Sequence, residues 1–193
     1  GYRVPVLMDD VPVWEVYALE VLAGVLDGGQ SARLQRELVR ASRLAGDVGA
    51  GYSSDSRLHE LFMLSAVPSE GVKVDALENA LRREIARLRE EPVSAEELAR
   101  VKAQVVAAEV YGRDSVFYQA MRLGAYETVG LGYRRLDDLV KGIEAVSAEQ
   151  VQAVARKYLV DDRLTVGVLD PLPLEPGQRM PRSEGMGGAH HVR

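Results

Sequence analysis

Two stretches of this chain carry the same helix-starting device: Val93-Ser94-Ala95-Glu96-Glu97-Leu98 and Val146-Ser147-Ala148-Glu149-Gln150-Val151. In each, the serine hydroxyl can accept from the backbone N–H three residues on. The Glu or Gln there can accept in return from the serine N–H, and the flanking apolar pair can close as a staple. Two helix starts in the second half are thereby set, with apolar periodicity running on through "VSAEELARVKAQVVAAEVY" and "VSAEQVQAVARKYL". Upstream, "VDALENALRREIARLRE" puts Leu77, Leu81, Ile85 and Leu88 on one stripe and stops before Pro92. Between the two devices, "DSVFYQAMRLGAYETVG" predicts a further helix capped by Asp114 or Ser115.

Strand signals are confined to the first third and the end. "YRVPVLM" suits an edge strand, because Pro5 cannot donate to a ladder. Gly1 opens directly into it, which suggests a fragment whose upstream part is missing. A helix is expected over 12–26, with Asp10 near its N-cap, Pro12 in its first turn and Gly28-Gly29 past its end. "GDVGAGYSSDS" and "LHELFMLSAVP" predict a hairpin turning around 53–57. Its second strand is apolar on both faces, through Leu61, Met63 and Val67 and through Phe62, Leu64 and Ala66, so it should be central and covered by helices or a partner. "RLTVGVLDP" predicts a final strand, Leu164, Val166 and Val168 alternating with Thr165 and Gly167. Helices and strands in such uneven blocks favour α+β with an antiparallel or mixed sheet over a doubly wound one. One domain is expected over 1–171, and the Pro- and Gly-rich stretch 172–193 should be a flexible or docking tail.

Between the first helix and the hairpin, "SARLQRELVRASRL" spaces Arg33, Arg36, Arg40 and Arg43 by three, four and three. On an α-helix they would share an arc of roughly 80°, beside Leu34, Leu38, Ala41 and Ala45. Such a face could serve nucleic acid, but 24 Lys+Arg against 29 Asp+Glu give a net charge of −5, which opposes phosphate backbones. A solvated face supported by Glu37 and other acidic neighbours is the reading preferred, with no nucleic-acid partner.

The chemistry available is narrow. There is no cysteine, which removes thiol nucleophiles, thiolate zinc and iron–sulfur sites. No apolar run approaches the ~18 residues of a membrane span. His59-Glu60 begins like the zinc motif H-E-x-x-H, but Met63 stands where the second imidazole is needed, and the stretch reads as strand. His190 and His191 are adjacent in the tail and would point apart on an extended chain. There is no G-x-S-x-G, and "GDVGAGY" is neither a Walker loop nor a dinucleotide fingerprint. No catalytic and no metal residue is assigned, and no cofactor is expected in this chain.

The ordered wording of the segments resembles the C-terminal, non-zinc domain of the pitrilysin or insulinase family of zinc metallopeptidases, in the mitochondrial processing peptidase branch. "ALEVLAGVLDGGQSARLQRELVRASRLAGDVGAGY" is similar to that family's helix, Gly-Gly-x-Ser-x-Arg-Leu turn, second helix and strand. "VSAEELARVKAQV", "DSVFYQAMRLGAYE" and "AVSAEQVQAVARKYLVDDRLTVGVLDP" follow its later blocks in order. The resemblance implies an antiparallel sheet with helices packed on one face, paired with homologous domains around a chamber for unfolded peptide. It implies zinc in a missing N-terminal domain or its homologue, held by H-x-x-E-H, and a homologous second subunit as partner. Active relatives can supply an Arg and a Tyr from such a domain as oxyanion donors; aligned here, those positions hold Val39 and Gly46, and Arg40 is one residue out of phase. The implied role is a non-catalytic part of a peptidase, inactive alone. The alternative is a degenerate scaffold of the same fold. The compartment stays open between periplasm and cytoplasm.

Overall fold

The computed structural model describes residues 1–171, so the expectation of a flexible or docking tail at 172–193 lies outside the described residues. At its centre is α1 (Val13–Asp27), apolar nearly all round and therefore enclosed: Val16, Leu19, Val21, Leu22, Val25 and Leu26 are all buried. Its start differs from expectation. Pro12 takes the N-cap position with no side-chain bond, while Asp9 rather than Asp10 orders the approach by accepting from the Val6 amide at 2.8 Å.

Three antiparallel strands, β1 (Tyr2–Val4), β2 (Ala45–Gly51) and β3 (Glu60–Pro68), lie in the order β1-β3-β2. β2 and β3 form the expected hairpin, from Ala45↔Pro68 to Gly51↔Met63, with an irregularity at Gly46 where the register shifts. The connecting loop is tied down: the Tyr52 hydroxyl donates to the Pro5 carbonyl at 2.6 Å, and its ring stacks on Phe62. The Ser54 amide donates to Glu20 at 3.1 Å, and burial raises the Glu20 carboxyl above its ordinary value.

β3 is central, but only one of its faces is covered. Phe62 is fully buried against the helices, while Leu61, Met63 and Val67 on the other face remain 41–57% exposed. Apolar residues on both sides of a strand reveal that both sides want cover, not that this chain supplies it. The final strand also departs from expectation. Beyond a bridge between Tyr2 and Leu164 and backbone bonds between Gly1 and Thr165, residues 166–169 have no strand beside them among the described residues. Those contacts make β1 an inner strand along its first residues rather than the bare edge that Pro5 suggested.

The helices α2 (Val74–Glu90), α3 (Ala95–Gly112), α4 (Val116–Val129), α5 (Leu136–Ala145) and α6 (Ala148–Tyr158) complete the fold. α1 packs against β2, α3, α5 and α6, and α2 against β3 and α6. Both capping boxes form, and Ser115 rather than Asp114 caps α4. α5 has no sequence expectation behind it: it is short, lacks a side-chain cap and carries Gly142. That glycine is where the Tyr17 ring lies; a Cβ there would sit 2.2 Å from it. Together these features are an α+β fold with a small antiparallel sheet.

Candidate functional site

The arginine stretch does not make a basic face. Residues Gln35–Ala41 form a π-helix, closed by Ser42 N–H donating to the Glu37 carbonyl at 3.0 Å, and its wider turn removes the phase that would align the arginines. Arg33 is buried and paired in a fork with Glu97 at the start of α3: Nε to Oε1 at 2.6 Å and Nη2 to Oε2 at 2.8 Å. Arg36 bonds its neighbour Glu37 at 2.9 Å, and Arg40 donates to the Gln30 carbonyl at 2.6 Å. Arg43 stands in the left-handed region at φ 52°. Leu34 and Leu38 are buried as expected, whereas Ala41 is exposed.

Glu97 answers to two elements at once. Its Oε2 also accepts from the Ser94 amide at 3.1 Å, completing the capping box. The Arg33 bonds and those of Ser94 hold its carboxyl at about 2, against the burial that would raise it. The box was legible in the sequence; the Arg33 partner, 64 residues away, was not.

A second cluster, with Glu15 and Tyr158 buried and Lys157 half exposed, joins α1 to α6. Glu15, in the first turn of α1, accepts from Lys157 Nζ at 2.7 and 2.8 Å and from the Tyr158 hydroxyl. A carboxylate suits this end of the helix dipole, and burial first, then the Glu15 bond, raises the Tyr158 phenol. Every group in the cluster is satisfied within it, so it reads as an anchor between helices.

The positions aligned with the oxyanion donors are placed plainly. Val39 is half-buried in the π-helix, packed against the core. Gly46 is exposed at the irregularity of β2, where a Cβ would come no closer than 3.9 Å to any neighbour. Neither brings a donor to a common point. His59 precedes β3 on the surface, its Nδ1 2.9 Å from the Asp9 carboxylate. Among the described residues, no three His, Cys, Asp or Glu side chains are grouped to hold a metal. His190 and His191 lie outside the described residues.

Two surface features have no internal explanation. One is a groove of about 600 Å³ between β3 and residues 164–169, floored by Leu77, Leu81 and Ile85 of α2. The other is an apolar patch around the α3–α4 turn, where Val110, Tyr111, Val116 and Phe117 are 56–81% exposed. Patches of this kind mark interaction surfaces on soluble domains.

Comparison with known proteins places the fold. The chain is 26% identical over 148 residues to the "Uncharacterized zinc protease YmxG" of Bacillus subtilis (strain 168), covering 76% of this chain and 36% of that protein. It thus spans about a third of the curated relative's length. Among solved structures, the inactive peptidase domain of a candidate zinc protease from Bordetella parapertussis superposes with TM-score 0.77 at 24% identity, over 93% of this chain and 91% of that one. A protease from Helicobacter pylori superposes with TM-score 0.76 at 23% identity, over 84% of this chain and 38% of that one. The family model for the peptidase M16 inactive domain matches residues 7–105, 99 of the 193 residues. With more than half its length matched and the same helix-backed sheet, this chain belongs to the family of the peptidase M16 inactive domain.

Proposed function

We propose that this chain is the zinc-free half of a two-domain zinc metallopeptidase, and that it walls a chamber for unfolded peptide with a homologous zinc-bearing domain as its partner. The observation that carries the reading is the match to an inactive peptidase domain, in a chain similar to one third of a zinc protease. The apolar patch at the α3–α4 turn supplies a surface for the partner half. The open face of β3, with Leu61, Met63 and Val67, supplies an apolar wall for an extended substrate. Zinc and the general base belong to the partner; what this half contributes is shape and binding surface, because Val39 and Gly46 carry no oxyanion donor.

The test is reconstitution. Alone, the 193-residue chain should hydrolyse no unfolded peptide and hold zinc well below one equivalent by elemental analysis. Mixed or fused with a zinc-bearing half that carries H-x-x-E-H, it should bind that half and restore peptidase activity. Val39→Arg with Gly46→Tyr should leave that activity nearly unchanged if the oxyanion donors come from a further subunit. Removing such a donor from that subunit, Tyr to Phe, should lower the rate by a factor on the order of 10² to 10³. Stoichiometric zinc with peptidase activity in this chain alone would overturn the reading.

Val39 and Gly46 also favour a second reading, a scaffold of the same fold that has lost proteolysis. An H-x-x-E-H motif in the remainder of the polypeptide decides for the first; its absence there and in a homologous partner decides for the second.

A further inference from the structure

The outer edge of β2 is closed by side chains rather than by a strand. In the order β1-β3-β2 no strand lies beyond β2 among the described residues. From Asp47↔Val67 to Gly51↔Met63 the pairing with β3 is regular, so the backbone groups of alternate residues turn toward β3 and those between turn outward. Val48 and Ala50 are the outward ones, since each gives a backbone group to a side chain on the far side. The Gln35 side-chain amide donates to the Val48 carbonyl at 3.0 Å, and the Ala50 amide donates to Asp27 Oδ2 at 3.2 Å.

Those two groups are a matched pair. In a parallel ladder, one residue of the neighbouring strand donates to the carbonyl before its opposite number and accepts from the amide after it. With Gly49 as the opposite number, these are the Val48 carbonyl and the Ala50 amide. Gln35 supplies the donor and Asp27 the acceptor, so the two side chains reproduce the contacts of one residue of a parallel neighbour. They arrive from different elements, Asp27 as the last residue of α1 and Gln35 as the first of the π-helix.

Asp27 stands where helix electrostatics disfavour it. A carboxylate in the last turn faces the negative end of the dipole, and α1 has no basic residue in that turn to offset it. The carbonyl past that end is served from α3 instead, where Arg100 and Gln104 donate to Gly28 at 2.7 and 2.9 Å. Among the described residues, the Asp27 carboxylate bonds only the Ala50 amide. The strand itself needs protection. Val48-Gly49-Ala50 carries no charge, and Gly46, Gly49 and Gly51 leave the register weakly fixed, the conditions under which an edge recruits other chains. Gly49 also leaves room for the carboxylate, because a Cβ there would lie 3.4 Å from Asp27 Oδ2.

We propose that Asp27 and Gln35 are an edge guard, an intramolecular stand-in for a parallel strand that keeps extended peptide off β2, and that removing both lets β2 take one extended peptide running parallel to it. The guard lies wholly within this domain, so it holds whether or not the chain walls a chamber. In the chamber proposed above, it would confine an extended substrate to the face of the sheet and keep it off the edge.

The test titrates an end-blocked, fluorophore-labelled Thr-Val-Thr-Val-Thr peptide into the 193-residue chain and its variants, read by anisotropy and by amide hydrogen exchange. Asp27→Ala with Gln35→Ala should bind the peptide saturably and about tenfold or more tighter than the unaltered chain, with exchange at the Val48 and Ala50 amides slowed to a similar degree by the peptide. Asp27→Asn keeps an acceptor oxygen and should stay closed, which separates the lost bond from the lost charge. Circular dichroism and a cooperative urea transition establish that each variant is folded. Gln35→Ala alone frees the Val48 carbonyl and should bind with intermediate affinity; it carries the test if the double variant fails to fold. Absence of saturable binding by the folded variants would overturn the proposal. So would equal binding by the unaltered chain, which would mean that the edge is already open, or binding without protection at Val48 and Ala50, which would place the peptide elsewhere. Self-association of the double variant that protects those amides and excludes the peptide would overturn it in favour of a second copy of the chain.

Discussion

Glu97 shows how one carboxylate can hold two elements. Its side chain is 14% exposed and that of Arg33 is 8%, so the pair is largely withdrawn from water and its bonds count for more than those of a surface pair. A folded-state value of about 2 against an ordinary 4.5 means the proton is bound more readily by the unfolded chain. The stability this lends is therefore present above about pH 4.5 and is lost as pH falls toward 2, with a size on the order of 3 kcal/mol. Glu97→Gln should lower stability by about that amount at pH 7 and should flatten the pH dependence between 4.5 and 2. Urea unfolding across that range checks both, and a mutant that keeps the wild-type slope would refute the assignment. The sequence showed half of this residue's work, because a capping box is local. The Arg33 bond needs α3 to cross the chain beside the π-helix, and no spacing encodes that.

In α5, opposing effects meet at Gly142. Replacing an interior helical glycine with alanine ordinarily gains about 1 kcal/mol. Here the added Cβ would sit 2.2–2.7 Å from three atoms of the buried Tyr17 ring, and overpacking of that kind costs about 1–3 kcal/mol. The steric term wins, so Gly142→Ala should destabilise the protein by up to ~2 kcal/mol, seen as a lower urea midpoint at an unchanged slope. A stabilised variant would show that Tyr17 can move aside. The same glycine explains why this helix escaped a reading of periodicity: it lowers helix propensity in isolation, and its value lies only in the neighbour it admits. The stretch after Ser31 failed differently. Its residues favour helix, and it is helical, but hydrogen bonds spanning five residues change the phase without changing the composition.

The molecule as a whole bears a net charge of −5, and of the four arginines between Ser31 and Leu44 one, Arg33, is buried while Arg36, Arg40 and Arg43 are exposed. Glu97 neutralises Arg33 and Glu37 neutralises Arg36, so Arg40, bonded to a carbonyl, and Arg43 are the cations of this stretch without a carboxylate partner among the described residues, too few to offset the acidic balance near a phosphate backbone. Single- and double-stranded oligonucleotides titrated at low salt should accordingly show no saturable binding by fluorescence anisotropy; binding that weakens steeply with added salt would mean that the basic face reassembles in solution.

The two capping boxes, the stripes of apolar residues and the hairpin are short-range features, each decided by residues near one another in the chain, and for these the amino-acid order was sufficient. It also carried the family resemblance, which rests on ordered wording. Which arginine is buried, which glycine takes a ring and which face of β3 is covered were settled only when distant segments met. Packing and pairing depend on neighbours that a linear pattern does not name: Leu61 and Phe62 are adjacent and equally apolar, yet α2 and the helices behind it cover only one of the two faces on which they stand.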